Sequence, residues 1–124
     1  MSGKAIPFEV RDVERGGLHT LVLSGELDLA PAADLEAMVL KLCADRVRGI
    51  VIDLSRLTFM GSTGLRLILS TREMCAQSGC EFFVVPGPPS VQRLFELTGL
   101  VDSVPFRTDP GGAQAGDPDS VELA

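Results

Sequence analysis

Val51-Ile52-Asp53-Leu54-Ser55-Arg56-Leu57-Thr58-Phe59-Met60-Gly61-Ser62-Thr63-Gly64-Leu65 decides how the rest of the chain reads. It opens as a short apolar run, the pattern of a strand buried on both faces. The run breaks at polar residues after Leu54, so the strand is expected at 49–54. Gly61-Ser62-Thr63-Gly64 then leads into an apolar helical segment that ends near Ser78. Ser and Thr favour helix N-caps because their hydroxyls accept bonds from unpaired backbone N–H groups. A hydroxyl pair is therefore expected at a helix N-terminus, just past the end of a central strand. Those hydroxyls either cap the helix only or are also modified.

Upstream, Phe8-Glu9-Val10-Arg11-Asp12-Val13 alternates apolar and polar residues, a half-exposed strand. Gly16-Gly17 separates it from a second strand at 18–24, which suggests an antiparallel hairpin. Gly25-Glu26-Leu27-Asp28 ends that strand, and Pro31 suits a first helical turn. Leu35, Met38, Val39 and Leu42 then form one apolar stripe of a helix at 31–45.

Downstream, Leu67, Ile68, Thr71, Met74 and Cys75 share one face of the helix after Gly61, with Leu65 and Leu69 beside them. Gly79 fits a C-cap. Residues 81–85 read as a fourth strand, and a third helix begins near Ser90, with Val91, Leu94, Phe95 and Thr98 on one face and Gly99 after it. Val104-Pro105-Phe106 is expected as a short edge strand, where proline is tolerated. The domain is placed at 1–108, and the Gly-, Pro- and Asp-rich stretch 109–124 is expected to be a disordered tail.

The order β-β-α-β-α-β-α-β implies an α/β fold, a mixed four- to five-stranded sheet with covering helices. Functional groups of open α/β sheets gather at the carboxyl ends of the strands. Both Gly25-Glu26-Leu27-Asp28 and Met60-Gly61-Ser62-Thr63 follow strands and belong at that edge.

The 124 residues fit one domain. A net charge of −6 argues against nucleic acid as the main partner, because neutralising phosphates needs a basic face. Neither a signal-peptide pattern in residues 1–7 nor an apolar run of membrane-spanning length is present, so a cytoplasmic protein without membrane insertion is expected. Cys43, Cys75 and Cys80 lack metal-ligand spacing and read as small buried hydrophobes. The single histidine, His19, has no triad partners, and no paired carboxylates or nucleophile elbow occur, which argues against an enzyme. No lysine follows Gly64, so the glycines there are not a phosphate-binding loop. No metal or cofactor is expected.

Taken together, Gly25-Glu26-Leu27-Asp28, Val51-Ile52-Asp53-Leu54-Ser55, Phe59-Met60-Gly61-Ser62-Thr63-Gly64-Leu65 and Leu97-Thr98-Gly99-Leu100 resemble a STAS domain over about residues 6–108. The nearest branch is the bacterial anti-sigma factor antagonists. The resemblance implies partner switching: the unphosphorylated antagonist binds an anti-sigma factor that is also a serine kinase, and this frees the sigma factor. Phosphorylation of a serine ends the binding, and a serine phosphatase restores it. The serine at that motif position is Ser62, with Thr63 as the fallback acceptor. The expected partner surface is Glu26, Leu27, Asp28, Gly61, Ser62, Thr63, Gly64 and Leu65. One departure stands out, since the family commonly carries an aspartate before the serine and this chain carries Gly61. That leaves open an unphosphorylated STAS subunit of a transporter ATPase complex or a stressosome-like scaffold.

Each site residue also has a structural reading. Ser62 can cap its helix, worth about 1 kcal/mol. Asp28 can cap the first helix, and Asp53 can cap a loop at the strand end. Leu65 and Leu69 belong either to the core or to an exposed apolar patch. Arg66 and Arg72 read as solvated outer-face residues.

Overall fold

The computed structural model of the protein describes residues 7–107. Its elements are β1 (Glu9–Arg15), β2 (Leu18–Leu27), α1 (Leu29–Ala44), β3 (Gly49–Met60), α2 (Ser62–Ser78), β4 (Glu81–Val85) and α3 (Pro89–Leu97), followed by a short 3-10 turn at Val101–Ser103. The expected tail at 109–124 lies outside the described residues.

Four strands form one sheet in the order β1-β2-β3-β4. The β1–β2 hairpin is antiparallel, and β2–β3 and β3–β4 are parallel, each pair joined by a helix. The hairpin turns on Gly16 and Gly17, whose φ values of +58° and +85° lie in the left-handed region that glycine adopts without strain. Strand residues of one parity, Leu21 and Leu23, Ile50, Ile52 and Leu54, Phe82 and Val84, join side chains of all three helices in a single core. The helices therefore share one face of the sheet. Phe95 of α3 is fully buried and meets Phe106 edge-on, with ring centroids 5.1 Å apart.

Both β2 and β3 run further than the sequence suggests. β2 continues to Leu27 instead of ending at Ser24, and β3 continues to Met60 instead of breaking after Leu54. The cause is a pair of β-bulges. Between the pairs Val22↔Asp53 and Ser24↔Arg56, β3 advances one residue more than β2, and it does so again between Gly25↔Leu57 and Glu26↔Phe59. A regular strand would turn Leu57 away from the side that holds Leu54. Each bulge inserts one residue and restores the direction, so Leu54, Leu57 and Met60 all reach the core. Polar side chains serve the irregular backbone. The Ser55 N–H donates to Asp53 Oδ1 at 2.9 Å, and Thr58 Oγ1 donates to the Gly25 carbonyl at 3.1 Å. Asp53 thus sits inside β3, only 8% exposed, and caps a bulge rather than a strand end.

Other expectations shift by smaller amounts. α1 starts at Leu29, and Met38 faces outward while Leu35, Val39 and Leu42 are buried. Val104-Pro105-Phe106 forms no edge strand. It makes a single parallel bridge from Phe106 to Val84, because Pro105 contributes only its carbonyl, accepting from Val84 N–H at 3.0 Å. Arg72 is tied down rather than solvated, since its guanidinium donates to the Ser103 carbonyl. Gly79 and Gly99 end their helices with φ of +71° and +73°, as expected of C-terminal glycines.

Candidate functional site

The parallel pairing of β2 with β3 persists to Leu27↔Met60, so both chains leave the sheet at the same carboxyl edge. The Gly61 N–H still donates to the Leu27 carbonyl at 3.4 Å. α1 then starts at Leu29 and α2 at Ser62, and the two helices pack against each other. Two helix N-termini therefore stand side by side, and the two expected strand-end motifs form one surface.

Two glycines bring these segments together. A Cβ on Gly64 would lie 2.5 Å from Met60 Cγ and 3.0 Å from Leu27 Cδ2, so only glycine lets α2 approach the strand ends this closely. Gly25 has φ +87°, and a Cβ there would meet the Pro7 carbonyl oxygen at 2.1 Å. That contact packs the chain preceding β1 against the end of β2.

The expected partner residues divide into two groups. Leu27 is fully buried, Leu65 is 6% exposed and Gly64 is buried, so these three support the surface from beneath and do not present side chains to a partner. Leu65 belongs to the core. Ser62 and Asp28 are exposed, while Glu26, Gly61 and Thr63 are half-buried.

Neither hydroxyl caps α2. Because β3 reaches Met60, Gly61 takes the extended N-cap conformation and Ser62 becomes the first helical residue. No side chain caps the N-terminus of α2, and none caps α1, where Asp28 holds the N-cap position. Among the described residues the Ser62 hydroxyl makes no hydrogen bond. An exposed hydroxyl thus stands at the positive end of a helix dipole with no structural employment.

The sequence reading missed two residues of this edge. Leu29, the first residue of α1, is 72% exposed, and Phe59, the penultimate residue of β3, is 47% exposed. A Cβ on Gly61 would lie 3.5 Å from two Phe59 ring carbons, an ordinary contact, so the ring lies beside the hydroxyl-bearing turn. The signal for Phe59 was present in the Leu57-Thr58-Phe59 alternation, but the bulges hide which of these residues points inward.

At the opposite edge Cys43, Cys75 and Cys80 are all buried free thiols. Burial pushes the Cys75 thiol well up, reinforced by Cys80 and Cys43 beside it, and burial likewise raises Cys80. Such thiols stay protonated and inert. Among the described residues no group of three or more His, Cys, Asp or Glu has the geometry to hold a metal ion, and no helix is long and apolar enough to cross a membrane.

Fold and edge together define a class: a small α/β domain that presents an uncommitted helix-borne hydroxyl between two strand ends. Comparison with known proteins places it. Residues 9–113 match the model of the STAS domain. The anti-sigma-F factor antagonist RsfB of Mycobacterium tuberculosis is 38% identical over 87 residues, covering 70% of each chain. The anti-sigma-B factor antagonist of Staphylococcus aureus is 34% identical over 84 residues, covering 68% of this chain and 78% of its own. The crystal structure of an anti-sigma factor antagonist from Mycobacterium paratuberculosis superposes with a TM-score of 0.72 at 32% identity, covering 81% of this chain and 85% of that one. The chain belongs to the STAS domain family, in the branch that holds the anti-sigma factor antagonists.

Proposed function

We propose that the protein is a cytoplasmic, non-enzymatic anti-sigma factor antagonist. It binds an anti-sigma factor with serine kinase activity, releases the sigma factor, and is switched off by phosphorylation of Ser62 and restored by a serine phosphatase. The observation that carries this reading is the exposed Ser62 hydroxyl, first residue of α2, which makes no hydrogen bond among the described residues. A residue with no structural task is free to be modified without cost to the fold.

The physics of the switch is local. A phosphate adds about −1.5 to −2 charges at neutral pH. At a helix N-terminus it meets the positive end of the dipole, so the domain stays folded. Pressed into an interface, an uncompensated dianion costs several kcal/mol in desolvation and repulsion. No large conformational change is needed. Leu29 and Phe59 supply the apolar contacts on either side of the hydroxyl, and Glu26 and Asp28 supply charge for orientation.

Gly61 favours a second reading, an unphosphorylated subunit of a transporter ATPase complex or stressosome-like scaffold, because no carboxylate precedes the acceptor. Incubation with ATP and serine-kinase anti-sigma factors of the same organism, read by intact mass and peptide mapping, separates the two. One phosphate on Ser62, absent in Ser62→Ala, is the expected result. An unmodified protein that co-purifies with transporter subunits would establish the second reading. Space for a Cβ exists at Gly61, so Gly61→Asp should fold normally.

A further inference from the structure

Ser62 and Arg66 are one turn apart on α2, and residues four apart on a helix are surface neighbours, with Cβ atoms about 5–6 Å apart. Both are exposed. Among the described residues Arg66 makes no ion pair or hydrogen bond. Its own helix offers it no carboxylate. The positions three and four residues away on either side are Ser62, Thr63, Leu69 and Ser70, and the one acidic residue of α2, Glu73, lies two turns further on beside Gln77. An unpaired arginine with only hydroxyls and a leucine around it on its helix has no present electrostatic role.

The direction of the helix gives it one. Each Cα–Cβ bond tilts toward the helix N-terminus, so the Arg66 side chain leans back over Ser62. Anion at i and cation at i+4 is the favourable order for such a pair. A guanidinium also matches a phosphate with two parallel N–H···O bonds.

We infer that Arg66 is the positioning residue for a phosphate on Ser62, holding it against the outer face of α2 by a charge-assisted pair. This rests on the reading of Ser62 as the modified residue and names how the modified state is held. Arg66 sets the direction of the phosphate and offsets part of its charge. The charge left uncompensated stays at the carboxyl edge. Other charges near the edge are Glu26 and Asp28 at the end of β2 and Arg56 on β3, all unchanged by the variants below.

The test bypasses any kinase. Phosphoserine is installed at position 62 during translation, and the second ionisation of the phosphate is followed by phosphorus NMR across pH. Arg66→Gln should raise that pKa by about 0.3 units, the pK equivalent of one i,i+4 charge pair. Arg66→Lys should keep more than half of the effect, and the Arg66 Nε–H resonance should move with the same midpoint as the phosphorus signal. Equal pKa values in the parent and Arg66→Gln, with an Nε–H signal that ignores the titration, would overturn the pairing. Thermal unfolding of each variant checks that the domain remains folded. Failure of the kinase assay above, with the NMR shift present, would remove Ser62 as the physiological acceptor while leaving the pair intact.

Discussion

The two edges of the sheet are built on opposite plans. At the amino edge, polar groups are consumed locally. Gly17 N–H donates to Glu14, His19 pairs with Asp12 at 2.9 Å, Arg48 faces Glu81, and the Gly17 carbonyl accepts from Arg48 N–H. Three thiols are buried there. At the carboxyl edge, two helix N-termini lack side-chain caps, Ser62 and Arg66 make no polar contacts among the described residues, and Leu29 and Phe59 face solvent. Interactions left unmade at one edge, in a domain that makes them at the other, fit the proposal that a partner binds there.

This contrast can be broken from either side. The largest effect is expected from Gly25→Ala, which needs a strained φ and drives a Cβ into the Pro7 backbone. It should lower stability by about 3 kcal/mol in urea unfolding and loosen the carboxyl edge, with partner binding falling in step. Cys75→Ser places a hydroxyl in the thiol cluster at the amino edge. A loss of about 2 kcal/mol is expected, with affinity for the anti-sigma factor unchanged in the folded fraction.

Phe59→Ala reverses that pattern. Calorimetric titration should show affinity for the anti-sigma factor weakened about tenfold, roughly 1.4 kcal/mol. Its unfolding free energy should move by only about 1 kcal/mol, since about half of the residue is already in water. Equal effects of Phe59→Ala and Cys75→Ser on binding would erase the distinction between the edges. The smallest effect is on pH. Burial holds the Cys75 and Cys80 thiols neutral in the folded state beyond their ordinary value of 9.0. Unfolded thiols ionise first, so their contribution to stability is complete below pH about 9 and declines as pH rises above it. Melting temperatures measured from neutral to alkaline pH should show this decline, reduced in Cys75→Ser.

Much of the fold was legible because its periodicities are clean. The Gly16-Gly17 hairpin, the β4 run at Glu81–Val85 and the Gly79 and Gly99 helix ends appear where the sequence puts them. The carboxyl ends of β2 and β3 were not legible, because two bulges scramble the alternation between Leu54 and Met60. These two bulges account for the changed start of α2. A longer β3 makes Gly61 the N-cap, moves Ser62 to the first helical position, and removes its capping role. Leu27 and Leu65 were grouped with the surface because their motifs are contiguous with it in sequence, yet core packing claims both side chains. Family resemblance pointed to this edge; the geometry separates what faces outward there from what supports it.

On the proposed function, charge on Ser62 is the switch that turns binding at the carboxyl edge off. Titration of the anti-sigma factor with Ser62→Ala and with the phosphoserine-62 protein tests it most directly. Ser62→Ala should bind like the unmodified protein, whereas phosphoserine should weaken binding by about 30-fold or more, roughly 2 kcal/mol, with the melting temperature of the free domain little changed. Equal affinity for the two forms would contradict it.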